Sequence, residues 1–313
     1  MTSMTGFAGR NNSWTAGPSG TPLNRHSSVA ALVPHFHCEE WLADCLSSLL
    51  DQSHPLDAIV VIDDGSGNPP VEIVRQFPQV TLLASDENVG PYRLVQQVIN
   101  DTDFDAYLFQ DADDWSTRDR LEILLAEAEE TGAELIGSQE VRIISNQALG
   151  QTFNYVLDVN FELRKRPWHY GLLHPTSLVS RDLVRRLGGY ATGLRFSGDL
   201  EFLQRAVHVA RVRNVPCYCY FRRKRDGSLT TDPSTALRSP ERLKLWEVLK
   251  VRSQHNAQAV AQGLPVALLP YIVSGPIDLD HVLGPEVRQR RASVANPVLP
   301  PPPLEAPTGS PGV

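Results

Sequence analysis

At 313 residues, 42% apolar and 21% charged, the chain has the composition of a globular protein with a sizeable core. Its net charge of −7 argues against nucleic acid or an anionic membrane as partner, since both select a basic surface. No apolar run approaches the roughly 18 residues of a membrane span, so no transmembrane segment is expected. The first 27 residues are rich in Gly, Ser, Thr and Asn, with no apolar stretch of signal-peptide type. The four cysteines (Cys38, Cys45, Cys217 and Cys219) form no Cys-x-x-Cys pair and read as free thiols, which suits a reducing, cytoplasmic setting.

From Ser28 onward strands and helices alternate. Val29 to Val33 is a continuous apolar run, the mark of a strand buried on both faces. Glu39 to Leu50 follows as an amphipathic helix, and Ala58 to Ile62 as a second strand. A short helix over 71–77 leads to a strand over 80–84, then a helix over 91–100 with Pro91 in its first turn. Ala106 to Gln110 is the fourth strand. Ser116 or Thr117 is positioned to cap a helix that ends at Gly132, and residues 134–138 form a fifth strand. Less regular sequence at 141–166 predicts hairpin strands. A strand over 174–180, a helix ending at Gly188-Gly189, a helix over 199–210, a strand over 212–221 and a helix over 240–261 follow. The pattern predicts an α/β fold with a mostly parallel central sheet and helices on both faces.

Three of the first four strands end in polar residues: Pro34-His35-Phe36-His37, Asp63-Asp64-Gly65-Ser66-Gly67-Asn68 and Asp111-Ala112-Asp113-Asp114. Parallel strands deliver such ends to one edge, and ligands of open α/β sheets bind beyond the carboxyl ends of the strands. In extended backbone Asp111 and Asp113 share a face and can meet one cation. Magnesium is commonly held by one or two carboxylates plus substrate phosphates, so this cluster suggests metal-assisted chemistry on a phosphorylated donor.

Taken with Asn88-Val89-Gly90, these motifs resemble in order and spacing the signature of the inverting family 2 glycosyltransferases of GT-A fold. The resemblance covers roughly residues 28–231. Composition marks residues 1–27 as a disordered N-terminal arm and 286–313 as a Pro-rich flexible tail; the resemblance implies a Rossmann-like GT-A domain (28–235) followed by a C-terminal helical extension (236–285). It further implies transfer of a sugar from a nucleoside-diphosphate donor, UDP-linked, to an acceptor hydroxyl, with Mn²⁺ or Mg²⁺ as cofactor. Pro34, Phe36, Asp64, Asn88, Asp111 and Arg222 would bind the donor, and Asp111 and Asp113 the metal. Asp114 would cap the following turn. Asp199, after the Gly188-Gly189-Tyr190 turn, would be the general base, with His174 and Glu201 near a carbohydrate, lipid-linked or small-molecule acceptor. The family's Ala-Arg-Asn segment is missing here; Leu94, Val95 and Gln96 stand in its place, and Arg93 is expected to supply the absent charge to the donor. Two other readings use the same residues: a sugar-phosphate nucleotidyltransferase, which would carry a Gly-rich phosphate loop absent here, and a nucleotide-binding scaffold without turnover.

Overall fold

The computed structural model describes residues 22–144, 150–225, 227–232 and 235–287. The apolar run at its start becomes β1 (Val29–His35), buried over nearly its whole length in the middle of the sheet. α1 (Glu39–Leu50), α2 (Val71–Val74) and α3 (Pro91–Asp101) connect it in turn to β2 (Ala58–Asp64), β3 (Val80–Ser85) and β4 (Ala106–Phe109). These four strands are parallel in the order β3-β2-β1-β4. The order reverses at β1, and the crevice beyond β1 and β4 is where such sheets bind ligands.

The chain continues through β5 (Trp115–Ser116), α4 (Arg120–Thr131), β6 (Leu135–Ile144), β7 (Gln151–Phe153) and α5 (Val159–Lys165). A 3-10 turn (His174–Thr176), β8 (Leu178–Ser180), α6 (Arg181–Arg186), α7 (Gly198–Ala206), β9 (Val212–Lys224), α8 (Pro240–Ala261) and β10 (Asp280–Leu283) complete it. The full order is β10-β3-β2-β1-β4-β8-β6-β9-β5, with β7 beside β6. β8 runs antiparallel to β4 and β6, β9 parallel to β6, and β5 and β10 are antiparallel edge strands.

Alternation along the strands sorts the core into two layers. Val29, Ala31 and Val33 face α1, α2 and α4 through Leu42, Leu46, Val74, Leu121 and Leu125. Ala30 and Leu32 face the other layer, with Leu94, Val98, Leu183, Phe202 and Leu203 from α3, α6 and α7.

Four local features depart from the sequence expectation. α4 starts at Arg120 because Trp115 and Ser116 are drawn into the sheet opposite Phe221 and Tyr220. The 141–166 segment holds the expected hairpin but also α5, capped by Asp158, whose carboxylate accepts the Phe161 N–H at 2.8 Å. The segment 236–285 is helical only to Ala261; its remainder crosses the molecule and ends in β10 against β3. Leu23 is buried in the first layer, so packing begins ahead of Ser28. The rest of the N-terminal arm, and the Pro-rich tail from residue 288, lie outside the described residues. Of the four free cysteines, Cys217 is exposed while Cys219 is buried, because the β6–β9 pairing shifts register beside them.

Arg120 fixes the strand end that matters most. Its side chain is fully buried; it donates to Gln110 Oε1 at 2.7 Å and to the Phe109 and Pro175 carbonyls at 2.8 Å. Burial lowers its pKa to about 10, which leaves it charged at neutral pH. Arg120→Met leaves three buried acceptors without this donor, at about 1 kcal/mol or more each. We expect it to cost about 3 kcal/mol, read as a lower denaturant midpoint with unchanged slope.

Candidate active site

The turn after β2 and the loop before α3 form one unit. The Asp64 carboxylate accepts the Val89 N–H at 2.7 Å and the Gly90 N–H at 3.0 Å, while Asn88 Nδ2 donates to the Asp64 carbonyl at 3.1 Å. The two loops touch so closely at Gly65 that a Cβ there would lie 2.4 Å from the Glu87 carbonyl carbon, and Gly65 adopts φ +66. This contact gives the Asp-Asp-Gly and Asn-x-Gly motifs their physical reason. Burial raises the Asp64 pKa, and its backbone hydrogen bonds oppose that rise. Asp63 accepts from Ser66 N–H at 3.0 Å and pairs with His35 Nδ1 at 2.9 Å. Against the effect of burial, these bonds bring its pKa below the ordinary carboxylate value.

At the end of β4, Asp111, Asp113 and Asp114 bring their oxygens within 4.8 Å of one another. Burial, then the Asp113 charge, push the Asp111 pKa up to about 7, with Arg222 opposing. Burial, then Asp113 and Asp111, hold Asp114 well above the usual carboxylate range. Asp114 accepts the Arg223 N–H at 2.6 Å and so ties β9 to the cluster. Arg225 Nε meets Asp113 Oδ2 at 2.6 Å. Three crowded carboxylates, two of them held high by burial and then by like charge, form an all-oxygen donor set that fits a hard divalent cation.

Two cavities open here. The first, about 490 Å³, is lined by Pro34, Phe36, Asp64, Asn88, Asp111 and Asp113, with Arg195, Arg222 and Arg225 among its cations. The second, about 670 Å³, holds Asp199, His174 and a set of aromatic side chains. Pro34, Asp111 and Arg222 line both, so the cavities meet at the acidic strand end.

Asp199 sits in the first turn of α7. Tyr92 donates to its Oδ1 at 2.8 Å and Tyr170 to its Oδ2 at 2.6 Å. A Cβ on Gly198 would come within 2.7 Å of the Tyr92 ring, so this position needs glycine for the approach. α8 braces the same turn: Trp246 Nε1 donates to Ser197 Oγ at 2.9 Å, and Ser197 adopts φ +62.

Nine of the eleven residues proposed from sequence line one or both cavities: Pro34, Phe36, Asp64, Asn88, Asp111, Asp113 and Arg222 in the first, and Asp199 and His174 in the second with Pro34, Asp111 and Arg222. Arg93 and Glu201 do not. Arg93 Nε donates to the Gly275 carbonyl at 2.9 Å, against the C-terminal segment, while Arg195 is among the cations that line the first cavity. Glu201 is buried beneath α7, 2.7 Å from Arg205 and 2.6 Å from Arg252, and accepts the Tyr271 N–H. Sequence reasoning missed Arg195, Tyr170 and Trp246, which no local motif marks.

His174 stacks near Phe109 and lies 3.1 Å from the Tyr190 hydroxyl. Burial lowers its pKa to about 4, with Asp199 opposing. The unfolded chain therefore takes up this proton first as pH falls, and folding loses on the order of 3 kcal/mol between pH 6.5 and 4. Asp111, raised to about 7, acts in the opposite sense: it is protonated earlier in the folded state and favours folding as pH drops. The melting temperature of His174→Gln should consequently fall less than that of the native protein between pH 6.5 and 4. Parallel curves would remove His174 from the balance.

Among the described residues, no helix is long and apolar enough to cross a membrane. The model of glycosyl transferase family 2 matches residues 30–188, half of the chain. Glycosyltransferase GlyA of Streptococcus pneumoniae serotype 4 is 29% identical over 110 residues, which is 34% of this chain and 16% of that protein. The putative teichuronic acid biosynthesis glycosyltransferase TuaG of Bacillus subtilis is 26% identical over 98 residues, 30% of this chain and 39% of that protein. The chain thus spans well under half the length of these curated relatives. The crystal structure of S. aureus TarS 1–349 in complex with UDP-GlcNAc is similar in fold, with a TM-score of 0.58 and 19% identity over 74% of this chain and 73% of that one. Its complex with UDP gives a TM-score of 0.57 at 18% identity, over 73% and 66% of the two chains. The family match runs from β1 through α6 and includes the acidic strand end, and on it the chain belongs to glycosyl transferase family 2.

Proposed function

We propose that the chain transfers a sugar, with inversion, from a UDP-linked donor in the first cavity to an acceptor hydroxyl in the second. One observation carries this reading: Asp111 and Arg222 stand on the wall common to a cavity with an acidic cluster and a cavity with a hydrogen-bonded carboxylate. The UDP-GlcNAc held by TarS, of similar fold, supports the donor class.

Asp111 and Asp113 would hold Mn²⁺ or Mg²⁺, which when bound neutralises charge on the departing diphosphate. Arg222 and Arg195 add positive charge along the donor cavity. Pro34 and Phe36 flank the nucleoside, and Asp64 shapes its pocket by holding the Asn88–Gly90 loop. The acceptor oxygen attacks the anomeric carbon from the side opposite the diphosphate; its proton passes to Asp199 while the bond to the diphosphate breaks. Tyr92 and Tyr170 each occupy one lone pair of Asp199 and leave others to receive that proton.

Release of UDP or another nucleoside diphosphate from a panel of nucleotide sugars, with Mn²⁺, Mg²⁺ or chelator, tests the proposal. Metal-dependent release from at least one donor is expected. Tight UDP binding with no turnover of any donor would instead make the chain a scaffold.

A further inference from the structure

The second cavity carries features that proton transfer by Asp199 does not use. Two amides on its wall are buried with unfilled donors. Gln110 is fully buried and Gln204 is 5% exposed, and the Nε2 of each lacks a hydrogen-bond partner among the described residues. The orientation of Gln110 is not arbitrary. Its other amide atom receives Arg120 Nη1 at 2.7 Å, and because a guanidinium only donates, that atom must be the oxygen. The NH₂ group is left for something else. A buried amide without a partner costs about 1–3 kcal/mol, so native proteins keep one where a ligand or water fills it.

The same wall holds exposed and fixed aromatic faces. Trp168 is 43% exposed, with Lys250 Nζ 5.6 Å from its ring centroid. Trp246 is anchored at its indole N–H by Ser197. A sugar ring matches this combination: its C–H face packs on aromatic rings, and its rim of hydroxyls takes amide donors and a carboxylate acceptor. An alkyl chain would leave both amides unfilled.

We infer that the second cavity is a carbohydrate-binding slot, in which Trp168 and Trp246 pack on the acceptor sugar and Gln110 and Gln204 donate to its hydroxyls. The inference rests on the glycosyl-transfer reading for the statement that this cavity takes the acceptor; the binding of a saccharide there does not. Gln204 and Trp246 lie beyond the matched family segment, whereas Gln110 and Trp168 lie within it, so the slot combines both parts of the chain.

Saturation-transfer NMR on the full chain tests it, with free glucose, galactose, N-acetylglucosamine and their β-linked disaccharides as probes. At least one should show saturable transfer. Trp168→Leu, Trp246→Leu and Gln204→Ala should each weaken it roughly five- to tenfold, a stacking or hydrogen-bond contribution of ordinary size. The melting transition of each variant checks folding, and Gln204→Ala, which removes no internal bond of its Nε2, serves if a Trp variant unfolds. Transfer from no probe, or transfer of equal strength in all folded variants, overturns the inference. UDP titration with Mn²⁺ on the same native protein keeps the two readings apart: failure there counts against glycosyl transfer and leaves the saccharide result to stand alone.

Discussion

Asp199→Asn is expected to lower the transfer rate roughly 10²- to 10⁴-fold, the usual contribution of a positioned base, while UDP affinity stays as it was. The reason for separating the two lies in the geometry. Asp199 lines the second cavity and not the first, so its loss leaves the donor's surroundings intact. Asn preserves shape and can still accept from one of Tyr92 and Tyr170, while its NH₂ can donate to the other hydroxyl, which limits rearrangement. Asparagine takes no proton at neutral pH, so the acceptor hydroxyl must shed its proton to water. The measurement is steady-state release of UDP in the presence of an accepted sugar, alongside direct UDP titration. A variant within threefold or so of the native rate would remove Asp199 from the proton path, since even the weakest positioned bases contribute about 100-fold. Loss of UDP binding would instead mean that α7 supports the cavity proposed for the donor.

The half of the site proposed for the donor was legible in the sequence because its motifs are local. An apolar run that breaks into three acids reads as a strand end, and Gly65 and Gly90 stand where φ is positive and two loops touch. The half proposed for the acceptor depends on contacts that no local pattern encodes. Tyr92 and Asp199 are 107 residues apart, and Trp246 reaches Ser197 across 49. Arg93 carries charge, but charge alone does not say which side of α3 a residue occupies; Arg195 brings a cation to the cavity wall from an irregular loop. The buried place of Glu201 follows from helix periodicity. Two residues along a helix is about 200° around its axis, so it faces away from whatever Asp199 faces. α8 has little amphipathic pattern because one part of it walls a cavity while another pairs with Glu201, and only the tertiary structure shows either.

Asp113→Ala should abolish the dependence of UDP binding on Mn²⁺. Removal of an outer-shell partner commonly costs 10- to 100-fold in metal affinity, and a direct ligand should exceed that. The sign of the metal-free result is the more discriminating part. In the native protein, Asp111, Asp113 and Asp114 crowd within 4.8 Å, and without a cation whatever negative charge the cluster retains opposes a diphosphate. Removing Asp113 takes away one of those charges and also the Arg225 contact at 2.6 Å, so positive charge near the donor cavity is less compensated. UDP affinity in chelator should therefore stay level or rise, while the gain on adding Mn²⁺ disappears. Asp111 should titrate below its present value of about 7, because Asp113 is the second cause of its rise after burial. Calorimetric titration of UDP with and without Mn²⁺ reads both effects in one series. A variant that keeps its full response to Mn²⁺ would place the cation elsewhere. One that loses UDP binding equally in chelator and in Mn²⁺ would give Asp113 a structural role at the end of β4.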